Sequence, residues 1–194
     1  MLEKLATARI MVLDVEATHL HGTPVSAAYV IINGAGGVEV EDMARASEEE
    51  IFALIKKEVL TPEQMDFSVK HLLLKPKETP NLQMIHSAIA LPHWLREAYT
   101  RLKPDYIAAD VAYPVETNFM RNAFQHGPQS EELKRSPYPL LDVENFVMAC
   151  GIDADKAIER VESELPVHNP LADARYSARK LRICLGILRE RAKR

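Results

Sequence analysis

Residues 25–33, VSAAYVIIN, form a run of apolar and β-branched side chains with too few polar positions to face water, and they read as a central strand. Residues 8–14, ARIMVLD, form a second such run, shorter and ending in charge. Both read as central strands. Asn33-Gly34 and Gly36-Gly37 supply turn residues that tolerate positive φ, and VEVEDM then alternates as a half-exposed strand does. The first three strands are therefore expected to form a hairpin or meander.

Helical periodicity begins at Ser47, a good cap, with Glu48 to Glu50 in the first turn and Ile51, Leu54, Ile55 and Val59 on one face. Residues 66–74, DFSVKHLLL, read as a further strand closed by Pro76 and Pro80. Pro92 opens a helix with Leu95, Ala98, Tyr99 and Leu102 inward, and Pro104 ends it. A short strand over 105–111 carries Asp110 near its end, followed by a helix from Pro114 to His126 and a Gly127-Pro128 break. The pattern continues with a strand at Tyr138 to Leu141 and helices over Asp142 to Ala149 and Asp153 to Leu165. The last helix has Asn169 as N-cap and Pro170 at its first position, with Leu171, Ala174, Ala178, Leu181, Leu185 and Leu188 forming one inward stripe.

The chain has 194 residues, enough for one domain and too few for two comfortable ones. We therefore expect a single α/β domain over residues 1–194. The two cysteines, Cys150 and Cys184, have neither disulfide-framework nor zinc-ligand spacing, and no stretch approaches the roughly 20 apolar residues of a membrane span. A cytoplasmic protein without membrane contact is the expectation. A formal net charge of −4 excludes a whole-protein positive field, so any nucleic-acid contact must be local. Gly34-Ala35-Gly36-Gly37 lacks the Lys-Ser/Thr of a phosphate loop, and no GxSxG elbow is present, which removes nucleotide-triphosphatase and serine-hydrolase chemistry.

What remains is a set of acids. Asp14 and Glu16 are two apart at a strand end and so share a face. Asp110 ends a second strand-like run, where open α/β sheets place their ligand crevice; Asp105 is its rival but begins that strand. Asp173 stands in the first turn of the last helix, five residues after His168. Each has a plain reading, Asp173 as dipole compensation for example. Crowded together, carboxylates repel unless divalent cations neutralise them, and oxygen ligands suit Mg²⁺ or Mn²⁺. Two such ions can clamp the attacking and leaving oxygens of a phosphodiester hydrolysis.

Three segments in this order, LDVEATHL, AADVAYPVETNFM and HNPLADARYSA, resemble the motifs of the DEDD 3′-5′ exonucleases, in the histidine-marked DEDDh subgroup. The family usually has Ala where this chain has Pro170, and often Asn and Phe-Asp before the second acid, where this chain has Ala108-Ala109. The resemblance implies a ribonuclease H-like fold, a mixed five-stranded sheet flanked by α-helices. It also implies that Asp14, Glu16, Asp110 and Asp173 hold two Mg²⁺ or Mn²⁺ ions and that His168 is the general base. The substrate implied is the 3′ end of single-stranded RNA or DNA. Thr18 and His19, just after the first acids, are substrate-contact candidates, with Tyr113 for base stacking and Arg175 for the strand backbone. His19-x-His21 equally suits a plain loop, Arg175 a helix-dipole role, and Phe119 the core. Residues 34–65 exceed that fold plan and read as an insertion, a solvated elaboration or else a lid or homodimer contact. Two other readings stay open: a catalytically lapsed interaction module on the same fold, and a phosphodiesterase for very short oligonucleotides.

Overall fold

The computed structural model describes residues 2–58, 60–72, 82–85, 87–125, 139–153 and 158–193. After a short helix α1 (Leu2–Thr7) come β1 (Arg9–Ala17), β2 (Pro24–Asn33) and β3 (Val38–Ala46), joined as an antiparallel meander. The helices α2 (Glu48–Lys57) and α3 (Pro62–Leu72) lead to β4 (Leu82–Ile85), which pairs parallel with β3. Then α4 (Leu91–Leu102), β5 (Tyr106–Ala109), α5 (Val115–Gln125), β6 (Leu140–Asp142), α6 (Val143–Ala149) and α7 (Pro170–Ala192) follow. The result is an α/β fold with one mixed six-stranded sheet in the order β4-β3-β2-β1-β5-β6.

β1 and β2 are buried on both faces, and their alternation sorts the core into two layers. Ile10, Val12, Ala28, Val30 and Ile32 point to one side and meet the Leu171, Ala174, Ala178, Leu181 and Leu185 stripe of α7. Met11, Leu13, Ala27, Tyr29 and Ile31 point to the other and meet Trp94, Leu95 and Ala98 of α4 and Phe119 and Ala123 of α5. Phe119 is therefore core. Period-two alternation then puts Asp14 and Glu16 on the α7 side. Gly34 turns the β2–β3 hairpin at φ 50°, where a Cβ would fall 2.1 Å from the Ala6 carbonyl oxygen.

Three expectations need correction. The sheet has six strands rather than five, because β4 adds a parallel edge strand to β3. The expected strand over 66–74 is helical through Leu72: Ser68 and Leu72, one turn apart, face inward while Phe67 and Val69 stay exposed. Thr61 and Gln64 cap α3 reciprocally, Gln64 N–H to Thr61 Oγ1 at 3.3 Å and Thr61 N–H to Gln64 Oε1 at 2.9 Å. The expected helix from Asp153 to Leu165 shrinks, within the described residues, to one 3-10 turn at Glu162–Glu164. Glu164 of this turn lies buried in an ion pair with Arg179. Val59, Pro76, Pro80, Gly127, Pro128 and Tyr138 lie outside the described residues.

The stretch expected as an insertion, 34–65, contains β3 and α2. Ile51 and Ile55 of α2 pack with Val25, Ala46 and Leu72 into a small third cluster. Among the described residues, no helix is long and apolar enough to cross a membrane.

Candidate metal centre

β5 stops at Ala109, opposite Leu13, so β1 runs on past its parallel neighbour and carries Asp14 and Glu16 beyond the end of β5. A register shift between Glu16 and Ala17 marks a bulge there, the device that commonly re-aims side chains beside a site. α7 begins above this end. Asn169 Oδ1 accepts the N–H groups of Leu171 and Ala172 at 3.0 and 3.1 Å, which fixes the helix start and so the positions of His168 and Asp173. Glu16, His168 and Asp173 bring ligand atoms within 4.8 Å of one another, and His168 Nδ1 lies 3.8 Å from Glu16 Oε1.

The electrostatics of the site are those of crowded acids. Asp14 is pushed well above the ordinary carboxylate range by burial, then by the charges of Glu16, Asp173, Glu116 and Asp110. Its Oδ2 is sealed from solvent with no hydrogen-bond partner among the described residues. Asp173 is raised by burial, with Arg160 opposing the shift from 2.5 Å. His168 is raised by its contact with Glu16, against the effect of its own burial. An orphaned buried carboxylate oxygen among four further acids is the donor set that a hard divalent cation satisfies.

Glu116, in the first turn of α5, went unnoticed in the sequence and belongs here. It is 9% exposed, and burial pushes its pKa up to about 7, with Glu16 and Asp110 adding to the rise. The signal was present: Glu116 falls on the stripe of Phe119, Met120 and Ala123, and an acid on a helix's apolar face needs a partner. Lys180 follows the same logic on α7, buried beside Ser177 and Cys184. It makes ion pairs with both Asp110 and Glu144. Burial works against its charge, and those two carboxylates overcome it and hold its pKa above the usual lysine value.

The expected site residues thus separate. Asp14, Glu16, His168 and Asp173 come together. Asp110 reaches the same end of the sheet, with its carboxylate on Lys180. Asp105 lies at the opposite end of β5, accepting the Arg9 N–H at 2.8 Å. Thr18 is buried, its hydroxyl on Glu58, and His19 Nε2 is 3.4 Å from the same carboxylate. Glu58, at the end of α2, also accepts from Thr23 Oγ1 at 2.8 Å, so α2 buttresses the loop after Glu16. Tyr113 is exposed. Arg175 turns from the acids to Glu41, with its Nε 2.8 Å from the carboxylate, and to the Ser163 carbonyl at 3.1 Å.

Two further side chains frame His168. His71 and Phe67 of α3 hold their rings 4.4 and 5.0 Å from the His168 ring. Beyond Phe67 a cleft lined by Glu16, Thr18, His19, Leu20, Gln64 and Val115 opens beside the acids. Compared with models of known protein families and with curated proteins, the chain matches none.

Proposed function

We propose that this chain is a metal-dependent 3′-5′ exonuclease of the DEDDh type on a ribonuclease H-like sheet. The observation that carries the reading is the convergence of Asp14, Glu16, Glu116 and Asp173 with His168 at one sheet end, around a buried carboxylate oxygen without a partner. Asp14, Glu16, Asp173 and Glu116 hold Mg²⁺ or Mn²⁺, with two ions per site. Glu116 takes the fourth place because it is buried among these acids, whereas the Asp110 side chain is 34% exposed; ion pairing does not separate them, since Asp173 is itself paired with Arg160. Such ions supply charge neutralisation at the phosphate and a more acidic water.

The protein's own groups do the rest. His168 accepts the water's proton: with Nδ1 turned to Glu16, Nε2 is the basic atom left for it. Lys180 keeps Asp110 and Glu144 in place, and the cleft beside Phe67 and Leu20 offers apolar surface to a terminal base. A strand only a few nucleotides long is the favoured substrate. Arg175 and Arg179 of α7 are committed to Glu41 and Glu164, and the chain carries net negative charge, so little is left to grip a long backbone.

End-labelled RNA and DNA strands of matched sequence, incubated with Mg²⁺, Mn²⁺ or EDTA, test the reading. Stepwise shortening from the 3′ end with metal and none with EDTA is expected, with short strands cut fastest. Intact oligonucleotide under every condition would leave the lapsed interaction module standing. His168→Ala should lower the rate by about 10²- to 10⁴-fold. Glu116→Gln should cost more than Asp110→Asn, whose loss should stay within roughly 10- to 100-fold, as for a group that only supports a ligand.

A further inference from the structure

A second cavity lies two strands from β1, on the same face of the sheet. Strand register sets Glu16, Ser26 and Arg45 in one row across β1, β2 and β3. Two strand spacings separate the outer pair, about 10 Å, with only the small Ser26 between them. Over the Ser26–Arg45 part of that row opens a cavity of about 240 Å³, bounded also by Lys70, His71, His168 and Asn169. No Asp or Glu lines it among the described residues.

Arg45 is the group that needs an explanation. It is 5% exposed and donates from Nη2 to the Leu72 carbonyl at 2.5 Å, and among the described residues it has no ion-pair partner. Arg160, Arg175 and Arg179 by contrast each hold a carboxylate. Glu48 is the acid that Arg45 feels, and burial outweighs it. A guanidinium buried without its anion is costly, and its rigid fork suits a tetrahedral oxyanion. Lys70 stands exposed at the mouth. The acids nearby are Glu16 and Asp66, which both act on His71, and Glu16 also lies 3.8 Å from His168 Nδ1; neither lines the cavity.

We propose that this cavity is a phosphate-binding site, in which Arg45 and Lys70 hold the oxygens of a phosphate group beside the acidic cluster, with His168 as the shared wall. The group comes either from a bound strand, at a phosphate other than the one being cut, or from a free phosphate ester. Phosphate binding itself needs neither metal nor turnover; only its assignment to a strand that is being cut rests on the nuclease reading.

The test is calorimetric titration of EDTA-treated protein with inorganic phosphate, a nucleoside 5′-monophosphate and the unphosphorylated nucleoside. EDTA removes divalent ions that would otherwise hold phosphate at the acids. Both phosphates should bind and the nucleoside should not. Arg45→Gln should weaken phosphate binding at least about tenfold, and Lys70→Ala several-fold. If Arg45→Gln fails to fold by circular dichroism, Arg45→Lys, which keeps the charge and loses the fork, carries the comparison beside Lys70→Ala. A short strand with one internal phosphate replaced by an uncharged methylphosphonate separates the sources. Affinity lost on that replacement in the wild type but not in the Arg45 variant assigns the site to the strand, and affinity independent of it assigns the site to free phosphate. Absence of phosphate binding by the wild type, or binding equal in wild type and both variants, overturns the proposal.

Discussion

His168 has φ 64°, in the left-handed region that few side chains other than glycine and asparagine enter without cost. Replacing it with glycine should therefore leave the fold at least as stable as His168→Ala does, by up to about 1 kcal/mol, while removing the proposed base. Denaturant melts of the two variants read this directly. Contact with Glu16 raises the His168 pKa, so an NMR titration of the metal-free protein should place it above the ordinary 6.5, and Glu16→Gln should lower it. A value unchanged in that variant would detach the imidazole from the acids. Lys180 presents the converse case, a buried cation between two carboxylates. Lys180→Met should destabilise the protein by about 1–3 kcal/mol, because both Asp110 and Glu144 lose their counter-charge while remaining partly open to water. A loss below about 1 kcal/mol in urea unfolding would mean that the pair is solvated.

Among the elements, α3 does most to shape the space around His168. Ser68 on its inner face donates to the Thr18 carbonyl at 2.6 Å, and Phe67 and His71 reach the His168 ring. Thr61→Ala removes the cap that starts this helix and should cost about 1 kcal/mol, with a measurable change in the His168 ring environment by NMR. An unchanged His168 signal would show that α3 holds its place without the cap. The same helix shows where reading a sequence falters. DFSVKHLLL holds enough apolar residues for either period, and the Thr61-Pro62-Glu63-Gln64 capping box just upstream was the better guide. β1, β2 and the α7 boundary were legible because each is over-determined, the strands by double-sided burial and the helix by Asn169-Pro170. Glu116, Arg160 and Lys180 were not, because their meaning lies in which side chain they meet across the fold.

The molecule as a whole carries a pH signature. In the metal-free protein Asp14, Glu116 and Asp173 have raised pKa values, with Glu116 at about 7. Acids raised by folding bind protons more tightly in the folded state, so the stability they contribute is complete below their unfolded values near 4 and is lost as pH rises through the folded ones. His168, also raised, acts in the same direction. For Glu116 alone the loss is about 3 kcal/mol. Thermal melts in EDTA between about pH 5 and 8 should show Tm falling, less steeply for Glu116→Gln, and a Mg²⁺-dependent rise in Tm that grows with pH. A metal-free Tm that climbs over this range would contradict the burial of these acids. The proposed ligands also come from distant stretches of chain, Asp14 and Glu16 from the first strand and Asp173 from the last helix. A chain emerging from the ribosome therefore has no complete centre until α7 docks on β1, and on the proposed chemistry it stays harmless to the RNA that surrounds it during its own synthesis.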